Sequence, residues 1–390
     1  MQNIPRSLQT RQVYLVPHDV EASGAPRVTV DVARMLLAAG LQCTLVFPAK
    51  GGLEAQARAE GLPVRVVANP PQAIATARLL KKASLLKARV TAFFGYCKLA
   101  WQCKGQKPLF WAGSSVLVEV VLAAFVTRSP VIVHVHEHLS HAGFISTVKI
   151  LLLSTLATKL VFVSKPTAAP FLRFANKPKI QVIPNRIEAK YFSPPKRTLA
   201  FRSELGASPQ NLVILSTGFL SHRKGFDLLL KAFALVYQKN NKLRLWIAGT
   251  DPDPAGKYER KLKRLAKGLG ILGAVRFLGF RADSEAVLAN ADCFVLASRN
   301  EALPLSLAEA MVVGCPVICT NVGGVREILI NRSTGLLVEP ENPVVLAVAI
   351  NELFAGPKEK WAQNAQRLAF ERFQPKTISR LCVTLAQTTR

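Results

Sequence analysis

The sequence predicts an α/β protein made of two Rossmann-like, doubly wound domains, and three observations carry that expectation. At 390 residues the chain is too long for one compact core of ordinary size. Short apolar runs alternate with longer segments of helical period in its first half. Such alternation needs crossovers, and hence a mainly parallel sheet covered on both faces. A polar, proline-bearing stretch, "RIEAKYFSPPKRTLAFRSELGASPQ", then interrupts the pattern, which restarts after it.

In order, "QVYLVP" reads as a strand, "GAPRVTVDVARMLLAAG" as a helix closed by Gly40, and "LQCTLVFPA" as a second strand. The strands "PVRVVA", "SPVIVHVHE", "KLVFVS" and "IQVIPN" follow. The most apolar stretches, 116–126 and 150–163, contain Glu119 and Lys159. Both fall short of the ~20 residues a spanning helix needs and are expected to be buried elements. Beyond the interruption come "NLVILSTGF", the helix "GFDLLLKAFALVYQ", "LRLWIAG", a basic helix around 258–267, "AVRFLGF", "DSEAVLANA", "CFVLAS", "PVICT" and "TGLLVEP". The expected division is a first domain 1–190, a linker 191–210, a second domain 211–370, and a terminal helix 371–390 packing back on the first. Two such sheets would face each other across a cleft, with ligands at the carboxyl ends of their strands.

Half the residues are hydrophobic and 19% are charged, as in well-packed globular proteins. The N-terminal stretch has no apolar run long enough for a secretion signal. Seven cysteines, an odd number without a disulfide-like framework, suggest reduced thiols in a cytoplasmic protein. The charge is strongly basic, with 51 Lys+Arg against 24 Asp+Glu. No acidic residue falls between Glu60 and Glu119, whereas Arg65, Arg78, Lys81, Lys82, Lys87, Arg89, Lys98, Lys104 and Lys107 do. One reading is a solvated helix face; the other is an anionic partner. Basic residues beside an anionic leaflet contribute about 1 kcal/mol each, so a few hold a protein on such a surface. Nucleic acid fits the sign of the charge, but no zinc-finger spacing, helix-turn-helix pattern or aromatic stacking signature supports it. The expected location is cytoplasmic, peripheral on the inner face of the cytoplasmic membrane.

Four stretches carry chemistry. In "SRNEALPLSLAEAMVVGCPV" (298–317), Glu301 and Glu309 are eight residues apart. On one helix they would be about 80° apart around the axis and ~12 Å along it, which rules out a close carboxylate dyad. Pro304 instead places Glu301 in a strand-to-helix loop and Glu309 within the helix. As acceptors, both carboxylates suit a ligand rich in hydroxyls; the alternative is two solvated glutamates. In "STGFLSHRKGFDLLLKAF", a turn with Gly218, the cations Arg223 and Lys224, and a following helix make an anion site. In "SGAPR", Gly24 permits close backbone approach and Pro26 suits a first helical turn. In "HVHEHLSH", His134, His136 and His138 share one strand face. That spacing suits either a metal or the wall of a cleft.

"NEALPLSLAEAMVVGCPVICTNVGGVREIL" resembles the nucleotide-sugar-binding motif of family-4 glycosyltransferases, retaining enzymes of the GT-B fold. The matching positions are Glu301, Glu309, Ala310–Met311, Gly314–Val317, Gly323–Gly324 and Glu327. The resemblance runs from about residue 13 to 375 and is strongest over 213–340. It implies transfer of a sugar from a nucleotide diphosphate donor to a glycan or lipid-linked acceptor in cell-surface polysaccharide or lipopolysaccharide synthesis. It further implies that Glu309 holds the donor ribose, that Glu301 lies by the donor sugar and its phosphate, and that the amides of Leu303 and Leu305 face the diphosphate. Lys224 matches the family's phosphate-gripping lysine. Many members place an arginine directly after the loop's first glycine; here Phe219 occupies it, and Arg223 is the candidate substitute. Gly279, Phe280 and Arg281 match the element whose backbone meets the base. His136 matches a His-acid pair beside the donor sugar, and Asn185 in "VIPNRIE" a structural element. No metal or cofactor is implied, since the nucleotide sugar is the substrate. A nucleotide-sugar epimerase of the same fold, and a non-catalytic protein binding an anionic surface, are the alternatives.

Overall fold

The computed structural model describes residues 11–20, 24–67, 82–103, 105–139, 143–176 and 179–389. Of the basic run, Arg78, Lys81 and Lys104 lie outside these residues, as does His141 of the histidine stretch. The chain divides into two compact units, residues 1–186 with 376–390, and residues 187–375.

The first unit is built on β1 (Val13–Val16), α1 (Gly24–Ala38), β2 (Cys43–Phe47), α2 (Gly52–Ala59), β3 (Val64–Val66), α3 (Lys82–Trp101) and β4 (Leu109–Ala112). It continues with α4 (Val118–Val126), β5 (Val131–Val135), α5 (Phe144–Leu156), β6 (Lys159–Phe162), the one-turn α6 (Lys165–Ala168) and β7 (Ile180–Val182). All neighbouring strands pair parallel, in the order β3-β2-β1-β4-β5-β6-β7. A parallel sheet covered on both faces needs apolar side chains on both, so β1, β4 and β5 are buried throughout.

Two departures from the sequence expectation appear here. Strand β4, "LFWA", was not anticipated; it is only four residues long and follows the run of cations, yet it pairs with β1 and β5 at the sheet centre. The stretch 150–163 is not one buried element. It is the end of α5, a turn and β6, and α5 exposes Leu151 while burying Ile150 and Leu153.

The second unit contains α7 (Leu199–Glu204), β8 (Leu212–Thr217), α8 (Phe226–Tyr237), β9 (Leu243–Ala248), α9 (Lys257–Gly268), β10 (Val275–Gly279) and α10 (Ser284–Ala289). β11 (Cys293–Leu296), α11 (Leu305–Val313), β12 (Val317–Thr320), β13 (Leu336–Val338), α12 (Pro343–Ala355) and α13 (Lys358–Arg372) complete it. Its sheet is also all parallel, in the order β10-β9-β8-β11-β12-β13.

Residues 191–210 are not a free tether. The Tyr191 and Ser284 hydroxyls are 2.6 Å apart, and Phe192 stacks on Phe370. Buried Arg202 donates to the carbonyls of Asn290 (2.7 Å) and Asn211 (2.6 Å) and pairs with Asp292 at 3.1 Å. The segment therefore packs within the second unit. The last helix, α14 (Pro375–Thr388), belongs to the first unit. Its buried Ile378 and Cys382 line a small cavity with Val28, Met35 and Asn185. All seven cysteines are unpaired.

Candidate active site

Sheet order explains where the second unit can bind a ligand. From β8 the chain winds outward through β9 and β10, then returns to place β11 on the other flank of β8. The loops leaving β8 and β11 therefore diverge, and crevices for ligands form at the carboxyl ends of strands at such reversals. The loop after β8 carries Gly218, a 3-10 turn His222–Lys224 and Gly225, which starts α8 in the left-handed conformation. The loop after β11 carries Ser298, Arg299 and Glu301.

Glu301 is the meeting point. Its buried carboxylate accepts from Lys224 Nζ at 2.7 Å, Arg223 Nη1 at 3.0 Å and Ser298 Oγ at 2.7 Å. Burial alone would raise its pKa, but Lys224 and Arg223, with the Lys224 and Ser298 hydrogen bonds, outweigh it and hold the carboxyl below its ordinary value. Lys224 is nearly buried, whereas Arg223 is about half exposed. The two loops are clamped together by Arg299. Its amide donates to the Arg223 carbonyl at 2.8 Å, and its guanidinium donates to both Asp227 oxygens at 2.8 Å and to the His222 carbonyl at 2.6 Å.

Two glycines make this approach possible. A Cβ on Gly225 would lie 1.9 Å from the Ala297 carbonyl oxygen, and one on Gly323 would lie 1.6 Å from that of Glu301. Both also have positive φ. Gly218 lets Lys224 through, since an added Cβ would come within 3.1 Å of the lysine Cε.

Glu309 is partly exposed inside α11, and Pro304 takes the N-cap position just before that helix rather than its first turn. Leu305 is thus the first helical residue, where backbone amides have no intrahelical acceptor. Leu303 is buried beside it. At the end of β10, Gly279 has φ +66 and its carbonyl accepts from Gly249 at 2.7 Å. Phe280 is exposed, and Arg281 pairs with Asp283 at 2.5 Å while its guanidinium lies 5.7 Å from the Phe201 ring centre.

The first unit has its own polar cluster, at the strand ends flanking β1 and β4. Glu137, after β5, accepts from the hydroxyls of Ser114 and Ser115 after β4, the latter at 2.9 Å. Burial would raise its carboxyl, yet these hydrogen bonds and the neighbouring imidazoles keep it low. Burial drives His136 down to about 4 against the pull of Glu137, and it lowers His18 after β1 as well. Both imidazoles are therefore neutral at physiological pH. His134 is buried beside Trp111, with a ring-centre separation of 6.0 Å. Among the described residues no group of His, Cys, Asp and Glu is arranged to hold a metal ion. Gly24, at the start of α1, has open space around an added Cβ, so packing among the described residues does not demand glycine there.

The sequence reading missed His18, Ser114, Ser115, Ser298 and Arg299. The available signal was position: each follows a strand at its carboxyl end, in "VPHD", "AGSS" and "ASRNE".

Residues 198–368 match the family described as glycosyl transferases group 1. The chain is 32% identical over 188 residues (45% of it) to a D-inositol 3-phosphate glycosyltransferase of Geodermatophilus obscurus. It is 31% identical over 154 residues (40% of it) to the lipopolysaccharide core biosynthesis glycosyltransferase LpsE of Rhizobium meliloti. It spans less than half the length of these relatives, 40% and 43% respectively. Its fold matches that of Anabaena HepE, solved in complex with UDP and glucose, with a TM-score of 0.81 at 22% identity, over 97% of this chain and 99% of that one. The stretch that holds Lys224, Glu301 and Glu309 is thus similar to the glycosyl transferases group 1 family, and the two Rossmann-like units with these sheet orders have the GT-B fold.

Proposed function

We propose that the protein transfers a sugar from a nucleoside diphosphate donor to a glycan or lipid-linked acceptor, with retention of anomeric configuration, in cell-surface polysaccharide or lipopolysaccharide synthesis. The observation that carries this reading is the Arg223–Glu301–Lys224 cluster at the carboxyl ends of β8 and β11, beside the first turn of α11. A diphosphate placed there meets two cations and a helix N-terminus. These stabilise charge developing on the leaving group, and charge-assisted hydrogen bonds of this kind are worth ~1.5–3 kcal/mol each. Arg223 stands in for the arginine absent at Phe219, and Glu301 holds both cations in place. Glu309 accepts from the donor ribose, and Gly279, Phe280 and Arg281 border the base. His136, neutral beside the Glu137 carboxylate, positions the transferred sugar as acceptor or donor of a hydrogen bond. In this reading the donor needs no metal, because its charge is met by protein cations and amides. The basic first unit holds the protein on an anionic membrane surface that presents the acceptor.

A thermal-shift screen over nucleoside diphosphate sugars tests the reading. One donor is expected to raise the melting temperature, and Glu309→Ala is expected to abolish that rise. Unchanged donor affinity in Glu309→Ala removes Glu309 from the site. Absence of binding, transfer and donor hydrolysis across the whole panel overturns the activity. Product made from the donor alone, without acceptor, assigns an epimerase instead.

A further inference from the structure

Helices α3, α4 and α5 lie side by side on one face of the first sheet, α3 against α4 and α4 against α5. Their inner sides share one core, through Tyr96, Val120 and Leu153. An outer helical layer ordinarily turns polar residues to water, and these three turn large apolar ones to it as well. On α3, Leu86, Val90, Phe94 and Trp101 recur at spacings of four, four and seven, which makes a single stripe, and all four are exposed. Phe125 on α4 is 62% exposed, and Phe144 and Ile145 on α5 are 84% and 83% exposed. Large apolar side chains exposed together on neighbouring helices mark an interaction site.

The charge around it selects the partner. Residues 61–187 hold seventeen Lys and Arg but only two acidic residues, Glu119 and Glu137. Glu119 is buried and Glu137 is held by Ser114 and Ser115. Lys87, Lys98 and Arg128, on or beside these helices, are exposed. A second copy of the same face would set like charge against like, and nucleic acid has no use for the aliphatic and aromatic stripe. An anionic bilayer satisfies both features, with phosphates for the cations and an acyl boundary for the apolar side chains.

We propose that the outer face of α3, α4 and α5 is a bilayer-docking surface, with Phe94, Trp101, Phe125, Phe144 and Ile145 entering the headgroup–acyl boundary of an anionic leaflet. This rests on the anionic-surface reading above and deepens it, because attachment then depends on insertion as well as on charge. It also fixes which side of the first unit faces the lipid.

Trp101 supplies the readout. Of the four tryptophans it alone is exposed; Trp111 and Trp246 are fully buried and Trp361 nearly so. Full-length protein is mixed with phosphatidylcholine vesicles with and without phosphatidylglycerol, at low and high salt. Phosphatidylglycerol vesicles are expected to shift tryptophan emission to the blue. Lipids brominated on the acyl chain are expected to quench it, and both effects are expected to survive in part at high salt. Trp101→Phe is expected to lose the blue shift while still binding. Combined Phe144→Ser and Ile145→Ser is expected to cut partitioning about tenfold, with the melting temperature unchanged. Binding that disappears entirely in salt, with no Trp101 signal, overturns the docking face but leaves the electrostatic reading standing. No binding to either vesicle removes both. Unchanged partitioning in the double variant, or a dimer that buries Trp101 without lipid, also overturns the proposal.

Discussion

Glu301 stays ionised where burial would otherwise neutralise it, because Lys224 and Arg223 face it and Ser298 donates to it. Removing one cation leaves an under-compensated buried charge, so Lys224→Met is expected to cost about 3 kcal/mol in chemical denaturation and to abolish the donor-induced thermal shift. Since its folded pKa is depressed, the stability contributed by Glu301 is present above its ordinary value and is lost as pH falls through the lower folded value. His136 behaves differently. It is neutral in the fold down to about 4, whereas an unfolded histidine takes up a proton near 6.5. The unfolded state therefore gains protons first. Stability is expected to fall by up to about 3 kcal/mol between pH 6.5 and 4, and His136→Gln is expected to flatten part of that slope in a pH series of denaturation midpoints. The carboxylates and cations were legible in the sequence as members of one motif set. Their partners were not, since His18, Ser114 and Ser298 are ordinary polar residues until strand order brings them to a neighbour.

At the scale of elements, helical and strand periodicity located most of the units, including α8, α11 and the strands before and after them. It failed where local pattern is least informative. Strand β4 is four apolar residues that read equally as loop or helix, and its assignment depends on β1 and β5 lying beside it. Helix α5 and β6 merged into one apolar run because α5 is apolar on its outer side too. The polar, proline-bearing stretch 191–210 read as a linker, yet Arg202 nails it to the carbonyls of Asn290 and Asn211. Arg299 does the equivalent for the two site loops. Arg299→Lys keeps the charge but loses the forked contact to Asp227, so it is expected to destabilise the fold by about 1–2 kcal/mol and to weaken donor binding in the same titration. A change in stability without any change in donor affinity would show that the clamp does not govern the site. Gly323→Ala acts on the loop after β11 from the β12 side, since its Cβ would overlap the Glu301 carbonyl, and is expected to cost more than 2 kcal/mol, roughly the scale of strain at positive φ plus a steric clash.

For the whole molecule, each unit has its own core, and the first is discontinuous in sequence. Helix α14 returns to it from the far end of the chain, burying Ile378, Cys382 and Leu385. Deleting 376–390 is therefore expected to lower the unfolding transition of the first unit by several kcal/mol, at ~1.5–3 kcal/mol per buried side chain, while leaving that of the second near its original position. Differential scanning calorimetry distinguishes this from a single lowered transition. No helix among the described residues is long and apolar enough to cross a membrane, and the proposed lipid contact is a surface of the first unit. The charge of that surface was visible in the sequence, and its apolar half was not.

The sequence by itself determined the fold class, the strand and helix alternation of both units and the ordered spacing from Glu301 to Glu327. These depend on local periodicity and on residue types at fixed separations. Only the tertiary structure decided that Glu301 is the shared counter-ion of Arg223 and Lys224, more than seventy residues away in sequence. It also decided that α3, α4 and α5 pack side by side and that each exposes large apolar side chains. Both follow from strand order and from which side of each helix the core consumes, and neither is a property of any short stretch of chain.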